Sequence, residues 1–444
     1  MSRYSEGMAQ APHRATILPA RREVIEANII AGTLLGISLV LSFVAGKATN
    51  ALFALIIVSA FRPSTTKAFR ARTRNPINLL FFFGFAGMVL AYALTARSLH
   101  DFSYVLNFAP LPLCLLLMWR LEKASFGNGM LLIAWLALIG TAMAVASGAF
   151  QVFVLGVERA GAAGFNPIYM GDTAILCGAL ALAGLLVPGV PHRSRLPLLL
   201  APFLAIVAVV LTGSRGALLA IPAFAAIGTG FAYAHARRKW LVLAAAATGV
   251  ALMVAVFLVA MATGATRITQ MISVMHEALV HWHSDDFDTQ VRLDFYLAGI
   301  KAFLASPLIG HGWPGMMGAV AEFMPPDTAR YAAIYRHLHN DIINFAASAG
   351  IVGLASYAAF ISAPVVGVLA LPRDRQFPAR LYAACVLVAG NLIFGLTNVV
   401  IGYSFPTDLF AALTICIVTV GREPQQGFQA MSRLDEFRTG GPGY

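Results

Sequence analysis

Charge is scarce in this 444-residue chain: 11% of its residues are Asp, Glu, Lys or Arg, against 59% that are hydrophobic, and the mean hydropathy is +0.76. So few charges cannot cover a water-facing surface, which excludes an ordinary soluble domain and points to a polytopic membrane protein. Cysteine is scarce too. Cys114, Cys177, Cys385 and Cys416 all fall within apolar runs and share no Cys-x-x-Cys spacing. Neither a disulfide framework nor a zinc site is expected from them. The first 23 residues contain Arg3, Arg14, Arg21 and Arg22 but lack a short apolar core with a small-residue cleavage site. They are expected to form a cytoplasmic tail and not a signal peptide.

Long apolar runs are what the chain has in abundance. Set against the roughly 20 residues needed to cross a bilayer, they predict an all-α integral membrane fold of about twelve spans. The runs are 27–45, 48–61, 77–96, 102–119, 130–150, 168–187, 196–212, 217–233, 241–261, 341–370, 381–400 and 408–420. With the N-terminus inside, 22 of the 31 Lys and Arg fall in cytoplasmic segments, among them RPSTTKAFRARTR (62–74) and ARRK (236–239), and nine fall outside. That asymmetry predicts N-in, C-in topology. It also accounts for the net charge of +11 without a nucleic-acid partner. The expected organisation is a tail (1–23), nine spans (24–261), a large periplasmic loop (262–338), three spans (339–421) and a second tail (422–444).

The large loop carries two helical patterns. In RITQMISVMHEALVHWHS (267–284), Ile268, Met271, Ile272, Met275 and Leu279 recur at helical spacing, as in a helix lying on a membrane surface. In QVRLDFYLAGIKAFLASP (290–307), Val291, Phe295, Leu297, Ile300 and Phe303 predict a second helix, ended by Pro307 and the turn GHGWPG (310–315). Six of the ten histidines lie between His276 and His339, so chemistry is expected on this face.

Three arginines are not explained by orientation. Arg215 sits in the Gly-flanked turn TGSRGA (212–217), Arg292 opens the second loop helix, and Arg159 lies in ERAGAAGFNPIYMGD (158–172). Each has an ordinary reading: snorkelling to the interface for Arg215, pairing with Asp288 for Arg292, a solvated loop charge for Arg159. The functional reading is that guanidinium groups from separate elements converge on one anion such as a diphosphate, whose oxygens match the guanidinium fork. RHLHNDIINF (336–345) adds a base. Asn340 or Asp341 can cap the helix that follows, and His339 faces its positive end. Nearby arginines and that end both disfavour imidazolium, leaving His339 neutral and able to accept a proton. An interfacial histidine touching headgroups is the plain alternative, and His337 has the weaker case, as a hydrogen-bonding neighbour.

At TGSRGA (212–217), VRLDFYLAGIKAFLASPLIGHGWPG (291–315) and HNDIINFAASAGIVGL (339–354) the chain resembles the O-antigen ligase family, which shares a domain with O-antigen polymerases and bacterial protein O-oligosaccharyltransferases. The resemblance begins at about Arg159. It implies a fold of the glycosyltransferase C superfamily type in the bacterial inner membrane. It also implies an inverting, metal-independent transfer of a glycan from undecaprenyl diphosphate to a hydroxyl of lipid A-core at the periplasmic face. His339 matches the family's catalytic histidine, and Arg215 and Arg292 match its essential arginines. Arg159, His337 and Asn340 are candidate substrate-binding residues, membrane lipids are further partners, and no cofactor is implied. The ligase is preferred over its sister activities because the large loop has no Arg followed eleven residues later by Gly, a pattern associated with polymerases.

Two rivals remain. The acidic cluster HSDDFD (283–288) offers Asp285, Asp286 and Asp288 to a hard cation, or else caps the next helix. Twelve spans also describe a secondary transporter, although Asp172 and Asp408 sit at span ends and the halves show no repeat.

Overall fold

The computed structural model describes residues 14–59, 76–161, 166–262, 274, 276, 277 and 280–422. Among these residues every regular element is helical and there is no strand. A bilayer permits this, because a helix satisfies its own backbone groups where water cannot. Helix α1 (Arg14–Gly36) continues through a π-helical turn to Ala45, and α2 is Ala48–Ser59. There follow α3 (Pro76–Thr95), α4 (Leu99–Phe108), α5 (Pro110–Leu121), α6 (Gly129–Val154), α7 (Pro167–Leu186), α8 (His192–Thr212) and α9 (Arg215–His235). The chain continues with α10 (Lys239–Ala262), α11 (Phe287–Ala305), α12 (Trp313–Ala321), α13 (Asp341–Leu369), α14 (Phe377–Phe394) and α15 (Ser404–Thr419).

Among the described residues eight helices are long and apolar enough to cross a membrane, and nine if α4 and α5, bent by 46°, are one span. The other three of the twelve expected spans coincide with shorter apolar helices: Ala48–Ser59, Lys239–Ala251 within α10, and Ser404–Thr419. The expected surface helix at 267–284 lies mostly outside the described residues, as do the basic segment 62–74 and most of both tails. The second loop helix is α11. Helix α12 was not expected; α11 already ends at Ala305, before Pro307, and the turn GHGWPG opens α12, with Pro314 in its first turn, where its missing N–H costs nothing.

One apolar core unites residues of α1–α9 and α13–α15, with Trp313 of α12. A second belongs to the loop, where Val291, Phe295 and Ala298 of α11 meet Met316, Met317 and Val320 of α12 and Leu338. The loop is therefore a packed subdomain that can hold side chains in fixed places.

Its join to the bundle uses an interruption in α13. Gly350 takes a non-helical conformation (φ 64°, ψ −150°), roughly 13 Å along the helix from its start. The turn 307–312 fills the break. Its His311 and Gly312 N–H groups donate to the Ala347 and Ser348 carbonyls (3.0 and 2.8 Å), while Ile351 and Val352 donate to the Pro307 and Leu308 carbonyls (2.8 and 3.4 Å). Irregular backbone is tolerated at this depth because protein replaces the lost partners. A Cβ on Gly310 would strike the backbone of Ser348 and Ala349, and one on Gly350 would strike Leu308, so both positions require glycine for contact as well as for φ.

Candidate active site

The site forms where α13 begins. Asn340 has extended backbone, and its side chain accepts the Ile343 N–H at 3.1 Å, closing the first turn of the helix. Its Nδ2 donates to the Leu396 carbonyl at 3.3 Å. Asp341 does not cap. Its N–H donates to the Gly395 carbonyl (2.6 Å) and its carboxylate accepts the N–H groups of Val400 (2.9 Å) and Ile401 (3.3 Å). Together these two residues tie the segment 395–401 to the mouth of α13.

His339 is held in the left-handed region, with φ 52°. For a residue with a Cβ this costs of order 1–3 kcal/mol and persists only where the surroundings over-determine it. Here the Tyr296 hydroxyl of α11 lies 3.0 Å from the His339 carbonyl and 3.0 Å from that of Leu396, so it bridges the loop to the segment 395–401. The ring packs edge-on to Tyr335 (5.1 Å) and lies 4.4 Å from His337, which in turn meets Tyr403 at 5.3 Å.

Burial pushes His339 down to about 3, with His337 and Arg292 adding to the effect and the Asn398 side chain opposing it. His337 is lowered to about 4 by burial and then by Arg292. Both rings are neutral at physiological pH, and the Nδ1 of each is sealed from solvent with no hydrogen-bond partner among the described residues. Asn398 contacts the side chains of both His339 and Tyr169. It is 3% exposed, with a buried Nδ2 that also lacks a partner among the described residues.

Arg292 is half-buried on α11 and, among the described residues, forms neither a hydrogen bond nor an ion pair, with Asp288 or any other carboxylate. Its guanidinium donors are open to a ligand. Arg215, exposed at the start of α9, is likewise unpaired among the described residues. The turn before it is built by Gly213 in the left-handed region (φ 62°) and by the Thr212 hydroxyl, which accepts the Ser214 N–H at 3.2 Å. Its neighbour Gly216 abuts Thr397: a Cβ there would lie 2.6 Å from Oγ1. Thr397 adjoins Asn398, so the turn that carries Arg215 packs against the segment 395–401, and among the described residues no hydrogen bond joins Arg215 to His339 or Arg292. Arg159 differs. Its Nε donates to the Thr212 carbonyl (3.0 Å) and one terminal nitrogen reaches that of Gly213 (3.4 Å), so it splints the turn that carries Arg215.

In the acidic cluster, Asp286 caps α11 by accepting from the Thr289 N–H (3.2 Å) and hydroxyl (2.6 Å), while Asp285 meets His283 at 3.6 Å on the exposed surface. Among the described residues no group of three or more His, Cys, Asp or Glu is arranged to hold a metal ion. Sequence reasoning missed Tyr296, Asn398 and the tie made by Asp341. The polar pair Thr397-Asn398 inside a long apolar stretch was the one available signal.

These features define an all-helical membrane protein in which unpaired guanidinium groups and neutral histidines share one end, an arrangement suited to an anion and a proton. Residues 200–358, about a third of the chain, match the family model described as O-antigen ligase. The matched segment contains Arg215, Arg292, His337, His339 and Asn340, whereas Arg159 and the segment 395–401 lie outside it. No curated protein matches the chain.

Proposed function

We propose that the protein is an O-antigen ligase of the bacterial inner membrane, with N-in, C-in topology and its site at the periplasmic face. It moves a glycan from undecaprenyl diphosphate to a hydroxyl of lipid A-core. The observation that carries this reading is a neutral histidine, strained into place beside an arginine with free donors. His339 takes the proton of the acceptor hydroxyl as its oxygen attacks the anomeric carbon. The bond from that carbon to the diphosphate oxygen breaks in the same step, so the configuration inverts. With its own proton on Nδ1, the ring presents the Nε2 lone pair to the acceptor. Arg292 and Arg215 bind the diphosphate and stabilise charge growing on the leaving group. Arg159 acts by fixing Arg215, and Asn340 by fixing the mouth of α13.

A ring that takes a proton only near pH 3 is a weak base for an alcohol. The bound diphosphate supplies the correction, because its negative charge offsets Arg292 and raises the affinity of His339 for a proton. Basicity then arrives with the donor. The test is ligation by the purified protein with undecaprenyl-diphosphate glycan and lipid A-core in EDTA. The wild type should shift the acceptor on a gel, and His339→Ala should lose about 10²- to 10⁴-fold in rate. A lengthened polyprenyl-linked glycan with an unshifted acceptor would instead mark a polymerase.

A further inference from the structure

Below the site, between α7, α14 and α15, lies a cavity with room, about 20 Å³, for one group the size of a water molecule. Its polar lining is Tyr169, Asp172, Thr173 and Asn391; Val400, Phe394 and other apolar side chains complete the wall. All four polar residues are more than nine-tenths buried, and both carboxylate oxygens of Asp172 lack a partner among the described residues.

All but one of the polar hydrogens of this lining are directed elsewhere. The Tyr169 hydroxyl donates to the Val399 carbonyl (3.1 Å), the Thr173 hydroxyl to the Tyr169 carbonyl (2.7 Å), and the Asn391 amide nitrogen to the Leu387 carbonyl (2.7 Å). What remains for the cavity is five oxygen acceptors, two from Asp172 and one each from Tyr169, Thr173 and Asn391, against one remaining donor, the second N–H of Asn391. No Lys, Arg or His lines it. A single water brings two hydrogens to five acceptors and leaves the carboxylate charge uncompensated within the membrane. One monovalent cation answers both needs, since hard cations take oxygen ligands and one positive charge neutralises one carboxylate.

We propose that Asp172, Thr173, Tyr169 and Asn391 form a binding site for a desolvated alkali-metal cation of Na⁺ size. The site is connected to the chemistry above it. Tyr169 holds the Val399 carbonyl, and Val400, which lines the cavity, donates its N–H to Asp341. Asn398, between them and His339, is therefore steadied from below when the cation is bound. The cation acts on the arrangement of the segment 395–401 and does not meet the diphosphate.

The test is equilibrium binding of ²²Na⁺ to purified full-length protein in detergent at constant ionic strength, with choline as the replacement ion. Saturable binding of one ion per chain is expected, weakened at least tenfold in Asp172→Asn and by about three- to tenfold in Thr173→Val, which keeps the shape of the side chain and removes one ligand. The valine variant decides the matter if the asparagine variant does not fold. Absence of saturable binding in the wild type, or undiminished binding in both variants, overturns the proposal. Because the readout is cation binding, it is independent of whether the protein ligates, polymerises or does neither.

Discussion

The two ends of the helical bundle treat their arginines in opposite ways. At the end away from the large loop, Arg380 is fully buried and every bond it makes is structural: to Asp374 at 2.6 Å and to the carbonyls of Gly421 and Pro372, each at 3.0 Å. Arg120 nearby joins Glu26 at 2.9 Å and the Ser59 carbonyl at 3.0 Å, pinning helix ends together. At the loop end Arg292 and Arg215 are left unpaired among the described residues, and a histidine is held in a conformation that costs energy. Under the proposed function, polarity serves stability at one end and reactivity at the other. Substitutions that ignore this difference should therefore separate stability from activity.

The largest effect is expected at the structural end. Arg380→Ala removes the donor for two carbonyls and an ion pair within the protein, which should cost about 3–5 kcal/mol and show as a lower thermal midpoint and poor recovery from membranes. Arg292→Lys should leave the thermal midpoint unchanged and reduce kcat/KM for ligation about 10- to 100-fold, because an ammonium keeps the charge and loses the fork. Equal losses of stability in these two variants would erase the distinction between the ends. A smaller effect follows from the histidines. His337 and His339 are lowered to about 4 and about 3 from an ordinary 6.5, so the unfolded chain binds more protons than the folded one below about pH 6.5. Stability should be independent of these groups above pH 7 and fall as pH drops from 6.5 toward 4. His337→Asn should flatten part of that decline in thermal midpoints measured from pH 7.5 to 5.

Much of this architecture is legible in the sequence, and the boundary of legibility has a physical cause. Spans are local: about twenty apolar residues announce themselves, and Arg215, Arg292 and His339 stand out because charge and imidazole are rare in such a chain. The break in α13 is not local. Its hydrogen bonds join residues 307–312 to residues 347–352, some forty positions away, and leave no periodic trace. Clustered glycines at Gly310, Gly312 and Gly350 were the only sign of close backbone approach. The same holds for Arg159, which reads as a candidate ligand-binding residue and is spent on carbonyls of a turn more than fifty residues downstream. The left-handed backbone of His339 left only a faint sequence signal, since glycine is the usual residue at a positive φ and histidine is merely enriched there.

That backbone offers the most direct test of the central claim, that strain at His339 is retained because it aims a base. Glycine adopts φ near 52° without penalty, so His339→Gly should raise folding stability by roughly 1 kcal/mol and abolish ligation beyond about 10²-fold. Thermal midpoint and ligation rate would be measured on the same preparation. A midpoint above that of the wild type with ligation lost is the outcome this account requires. A variant that unfolds more readily yet still ligates would show that His339 serves the fold and not the reaction.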